Sequence, residues 1–160
     1  MASICASLNV DKSSTCLNRE PMMQDIVSAA AAGKVEAVGL DFGTTNSAIA
    51  IVGADGLPRL ARFPSAESGD VSETFRSILF FEAVEETGGT ESALSVGNDA
   101  IRRYLAAAGN GRLVQSLKSF LADKTFESTD IMGETYTLGD LIAPIITALR
   151  DAAIAQFGEL

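Results

Sequence analysis

The chain has 160 residues, 47% apolar and 21% charged, enough for one ordinary domain with a real core. Its net charge of −9, with no cluster of Lys and Arg, argues against a nucleic-acid partner, because sequence-independent binding needs a basic face. Histidine is absent and the two cysteines, Cys5 and Cys16, both fall near the start. His-ligated metals, Ser–His or Cys–His catalysis and a disulfide framework are thereby excluded.

Residues 1–20, rich in Ser, Asn and Cys and without periodicity, are expected to form a disordered tail. Translation starting at Met22 or Met23 is the simplest account of that leader. Residues 21–35 are expected to be a short helix or linker, with Pro21 at a first-turn position and Gly33 where the helix stops. No apolar run approaches the ~20 residues that cross a bilayer as a helix, and the start lacks a signal-peptide pattern, so a cytoplasmic protein without a membrane partner is expected.

The body is expected over 36–160. Residues 37–41 and 47–53 read as two strands, and their β-branched and small residues suggest strands covered on both faces. Between them lies a tight polar turn. Gly43 lets the backbone bend, so that the N–H groups of Gly43, Thr44, Thr45 and Asn46 can converge on an anion, with two threonine hydroxyls as further donors. Asp41, just before the turn, would repel a phosphate, so its natural partner is a divalent cation or that cation's waters. A metal–nucleotide complex is the ligand this layout calls for.

Ala54-Asp55-Gly56 reads as a hairpin turn, 58–63 as the third strand and 64–73 as an exposed polar loop. Residues 75–81 form a strongly apolar strand. Residues 82–92, with Glu82, Glu85, Glu86 and Glu91, have the composition of a solvated insertion loop. A short strand at 93–97 leads to a helix capped by Asn98 or Asp99, running to about Ala108 and ended by Gly109-Asn110-Gly111. Residues 113–121 read as a second short helix carrying Lys118, and 126–136 as a hairpin turning at Gly133. The last helix spans 138–158, with Thr137 and Asp140 resembling a capping box; Pro144 predicts a kink or a late start.

These residues carry a resemblance. Val38-Gly39-Leu40-Asp41-Phe42-Gly43-Thr44-Thr45-Asn46-Ser47 resembles the first phosphate motif of the actin, sugar kinase and heat-shock chaperone superfamily. Phe75-Arg76-Ser77-Ile78-Leu79-Phe80-Phe81 is similar to the strand after the long loop of DnaK-type heat-shock chaperones, with Arg76-Ser77 where a Pro-Ser pair is usual. Val96-Gly97-Asn98-Asp99-Ala100 resembles their next helix start. Ser116-Leu117-Lys118-Ser119-Phe120-Leu121 resembles the segment with the family's catalytic lysine, although Lys118-Ser119 replaces Lys-Arg. The final helix, ending Phe157-Gly158, also matches in place, and the short YegD-like branch is the nearest likeness.

The resemblance implies an α/β fold of the actin-like, ribonuclease H-like kind, hairpins followed by helices, of which residues 36–160 would form a truncated first half of one lobe. It implies an ATP-binding, ATP-hydrolysing chaperone with ATP and Mg²⁺ as cofactors. Gly43, Thr44 and Thr45 would contact phosphates, Asp41 would hold a water of the Mg²⁺ shell, and Lys118 would approach the γ-phosphate and attacking water. Unfolded protein clients and co-chaperones would be partners of the whole protein, and the 160 residues alone would be inactive. An N-terminal part of a carbohydrate kinase, or an inactive truncated product, are the alternatives.

Overall fold

A computed structural model describes residues 34–64, 70–86 and 89–160. The tail expected over 1–20, with Cys5 and Cys16, the helix expected from Pro21 as far as residue 33, and residues 65–69 of the polar loop lie outside the described residues. The described fold is mixed α/β: several antiparallel sheets and two helices, with no closed barrel among the described residues.

The chain opens with β1 (Val35–Asp41) and β2 (Asn46–Gly53), an antiparallel pair in which Asp41 faces Ala48 and Leu40 faces Ile49. The third expected strand is split. Only β3 (Pro58–Leu60) continues the sheet, and β4 (Phe63–Pro64) turns away to pair with β5 (Val71–Ser72), inside the expected loop. β6 (Phe75–Arg76) pairs with the start of β2, and the strand then continues after Ser77 as β7 (Ile78–Glu86) in a second sheet.

β7 alternates between two cores. Leu79 and Phe81 join Ile49, Ile51 and the last helix in the larger cluster, whereas Ile78 and Phe80 face Ala100 and Tyr104 in the smaller one. A strand covered on both faces reads as an uninterrupted apolar run, which is the pattern of Ile78-Leu79-Phe80-Phe81. The double cover expected of the first two strands therefore belongs to β7. β1 is half-exposed to exposed along its whole length, and β2 buries mainly one face, through Ser47, Ile49, Ile51 and Gly53.

Of the expected insertion loop at 82–92, residues 82–86 and 89–92 are strand instead, and 87–88 lie outside the described residues: β8 (Gly89–Val96) pairs with β7 in unbroken register from Leu79↔Val96 to Glu86↔Gly89. Ladder hydrogen bonds form between backbones whatever the side chains, so pairing seeded by the apolar ends of both strands extends outward through acidic sequence. α1 (Gly97–Ala106) follows without a side-chain cap. Asn98 donates instead to the Pro64 carbonyl at 3.0 Å, and Asp99 pairs with Arg102 and Arg103, so neither expected capping residue caps.

Residues 113–121 are not one helix. β9 (Arg112–Gln115) pairs with the other edge of β7, Ser116 adopts a left-handed φ of 62°, and a short 3-10 turn (Leu117–Phe120) carries Lys118. Leu113 and Val114 are taken by the apolar sheet beside them, a tertiary contact that overrides local preference.

β10 (Ser128–Ile131) and β11 (Glu134–Thr137) make the expected hairpin. Met132 and Gly133, with φ of 56° and 86°, supply the two left-handed residues of a tight reversal that follows strand twist. α2 (Leu138–Phe157) is capped as expected: Thr137 Oγ1 accepts from the Asp140 amide and Asp140 accepts from the Thr137 amide. There is no late start. Pro144 lies inside the helix and forgoes one backbone bond, while Leu141, Ile145, Leu149, Ala153 and Phe157 are buried against the sheet. At ~1.5–3 kcal/mol for each fully buried large apolar side chain, that stripe outweighs the ~3 kcal/mol a helical proline costs.

Candidate functional site

The reversal between β1 and β2 depends on one missing side chain. A Cβ on Gly43 would stand 2.0 Å from the Asn46 carbonyl oxygen, inside any contact distance, and that obstacle is backbone. Only glycine lets the chain close here.

Two buried hydroxyls hold the turn from behind. The Gly43 amide donates to Ser47 Oγ at 3.2 Å, and the Ser47 and Ser77 hydroxyls are hydrogen-bonded at 2.7 Å, with each residue 1% exposed. The Ser77 amide donates to the Thr45 carbonyl at 2.9 Å. Buried polar groups need partners, and these serines find theirs in each other and in the turn. The shape of residues 43–47 is thus set by the stretch that joins β6 to β7.

This geometry changes one part of the expected anion nest. The Gly43 N–H points to Ser47 rather than outward, so the available donors are the amides and hydroxyls of the exposed Thr44 and Thr45, which no described residue engages. Asn46, also exposed, sits opposite Arg76, whose Nη1 donates to Asn46 Oδ1 at 3.1 Å. Asp41 lies exposed at the end of β1, and no described ion pair engages it.

Asp41, Gly43, Thr44, Thr45 and Asn46 are brought together by the hairpin itself. Lys118 comes from elsewhere, on the 3-10 turn, where its side chain is exposed and makes no described hydrogen bond or ion pair with a turn residue. The neighbouring Leu117 is buried in the same cluster as Ile49 and Ile51, so one core supports both segments. Two cavities, one of about 220 Å³ beside Leu117, Phe120 and Phe126 and one of about 290 Å³ beside Phe63 and Phe75, include no residue of the turn.

Among the described residues, no three Cys, Asp or Glu side chains converge as a metal cluster. A cation beside Asp41 would take most of its ligands from phosphate oxygens and water, which is how Mg²⁺ is commonly held, and a lone exposed carboxylate fits that manner of binding.

Ser47, Ser77 and Arg76 were missed as contributors by the reading of the sequence. A serine's role behind a turn leaves no local pattern, since it arises from pairing across 30 residues. Arg76 did leave a trace, as a departure from the Pro-Ser pair. No protein-family model matches the chain.

Proposed function

We propose that the chain supplies the phosphate-binding part of an ATP-binding, ATP-hydrolysing domain of the actin-like superfamily, of the DnaK-type heat-shock chaperone kind. The single observation that carries this reading is the Gly43 turn, closed tightly enough to forbid a Cβ, with Thr44 and Thr45 exposed as free donors and Asp41 at its edge. Donors fixed in advance at a turn bind phosphate without reorganising, and phosphoryl transfer asks mainly for such positioning and charge neutralisation. ATP and Mg²⁺ are the cofactors in this reading. Thr44 and Thr45, shaped by Gly43 and flanked by Asn46, would hold phosphate oxygens, and Asp41 would hold Mg²⁺ through water. Lys118 is assigned the approach to the γ-phosphate. The hairpins followed by helices are read as part of an actin-like lobe, and protein clients and co-chaperones would belong to the whole chaperone.

Titration with Mg-ATP, followed by backbone amide NMR, tests the reading. Weak binding is expected, with shifts centred on Thr44 and Thr45 and a Mg²⁺-dependent part lost in Asp41→Ala. Micromolar affinity by calorimetry is not expected from these residues alone. Unmoved Thr44 and Thr45 amides at millimolar Mg-ATP would sink the reading. Movement of the same amides by a polyol or sugar without nucleotide would favour the carbohydrate-kinase alternative.

A further inference from the structure

Arg76 occupies a place that matters for any phosphate at the Gly43 turn. β2 has a different neighbour on each side at its start: β1 brings Asp41 opposite Ala48, and β6 brings Arg76 opposite Asn46. A carboxylate and a guanidinium therefore flank the turn from opposite edges of one strand. The Ser77 amide to Thr45 carbonyl bond closes the ladder just beyond the Asn46–Arg76 pair. That makes it a pair without its own backbone bonds, the type in which facing side chains come closest.

Asn46 Oδ1 takes one guanidinium N–H, at 3.1 Å, and no described carboxylate takes the rest. Among the described residues, Arg59, Arg62, Arg102, Arg103 and Arg150 pair with acids, whereas Arg76 and the exposed Arg112 have no described ion pair, and of those two only Arg76 lies beside the turn. Arg76 is half-buried, tethered on one side and uncommitted on the other, in a chain of net charge −9. Guanidinium forks match phosphate oxygens two at a time, and a tether that fixes the plane reduces the ordering lost on binding.

Resting on the phosphate-site reading above, we infer that Arg76 is a direct phosphate-binding residue of the Gly43 turn, contacting the polyphosphate of a nucleotide from the side opposite Asp41 and its metal. The division of labour follows from charge: the metal side neutralises through Asp41, and Arg76 neutralises without metal. Asn46 acts as the positioning residue that aims the guanidinium.

The test uses inorganic tripolyphosphate, with and without Mg²⁺, on the full chain, reading the amides of residues 43–46 by NMR. Arg76→Gln keeps a donor for Asn46 Oδ1 but removes the charge and the fork, and its spectrum away from the turn reports whether the fold is kept. Affinity is expected to fall about tenfold or more in Arg76→Gln whether or not Mg²⁺ is present, and less in Arg76→Lys, which keeps charge without the fork. Asp41→Ala should weaken only the Mg²⁺-dependent part. If the Thr44 and Thr45 amides still shift and Arg76→Gln binds as the parent does, the role of Arg76 is overturned while the turn remains a phosphate site. If no amide of residues 43–46 moves in the parent chain, both fall together.

Discussion

β1 and β2 are joined by the Gly43 turn and paired along most of their length, yet they live in different surroundings. β2 is central, with β1 on one edge and β3 and β6 on the other, and it presses Ile49 and Ile51 under α2. β1 is an edge strand among the described residues. Its Val38 and Leu40, opposite Ile51 and Ile49 and so on the same face, remain 47% and 45% exposed, because the helix packs over β2. The candidate site straddles this difference: Ser47 and Ser77 fix the turn on the buried side, whereas Asp41 stands at the end of the exposed strand. Rigidity is supplied by β2 and its neighbours, and access is supplied by β1.

The sharpest way to break the comparison is to truncate matched residues on the two strands. Ile51→Ala is expected to cost ~2–5 kcal/mol, because a side chain with no exposure leaves a cavity among Leu79, Leu141 and Ile145. Val38→Ala, across the ladder, should change stability by less than about 0.5 kcal/mol, since half of its side chain is already in water. Urea unfolding of the two variants decides; similar losses would mean that β1 is as well covered as β2.

A smaller effect should come from the cover itself. Thr137→Ala removes the side-chain acceptor at the start of α2 and is expected to cost ~1 kcal/mol. Acid should weaken the same cap gradually. The Asp140 carboxylate lies below the ordinary aspartate value of 3.8, held there by the Thr137 hydroxyl and then by the Thr137 amide. A lowered folded-state value means that its contribution is present above pH 3.8 and is lost as pH falls through the lower, folded value. In Thr137→Ala that part of the acid dependence should flatten, which circular dichroism between pH 5 and 2 would detect, about the range over which such carboxylates titrate. An unchanged acid profile would assign it to other carboxylates.

The parts of this fold that sequence made legible are those with a local cause. Gly43, the capping box at Thr137 and Asp140, and the reversal at Gly133 each rest on residues within four positions of one another. Misread segments are those decided from a distance. Residues 82–86 and 89–92 pair because β7 and β8 converge at their apolar ends, and Leu113 and Val114 become strand because the edge of β7 is there to receive them. Within the candidate site the same division holds. Asp41, Thr44, Thr45 and Asn46 were visible as a motif, whereas the Ser47–Ser77 pair and the Arg76–Asn46 contact depend on β6 returning alongside β2.

A change with little expected effect on stability carries the largest consequence for association. β1 offers an unpaired backbone edge among the described residues and, on the core-facing side, the two half-exposed apolar side chains of Val38 and Leu40. An edge of this kind is a template for strand addition, and charge or polarity on it opposes pairing. Val38→Thr with Leu40→Thr keeps β-branched or strand-compatible shape while removing apolar surface, so unfolding free energy should move by less than about 1 kcal/mol. Sedimentation velocity over a range of concentrations should show the parent chain associating and the double variant shifted toward monomer. Because β2 lies inside the sheet, Ala50→Thr, partly buried opposite Gly39, should not have that effect. If the β1 double variant associates as the parent does, the exposed strand is not the contact, and the difference between β1 and β2 is one of burial alone.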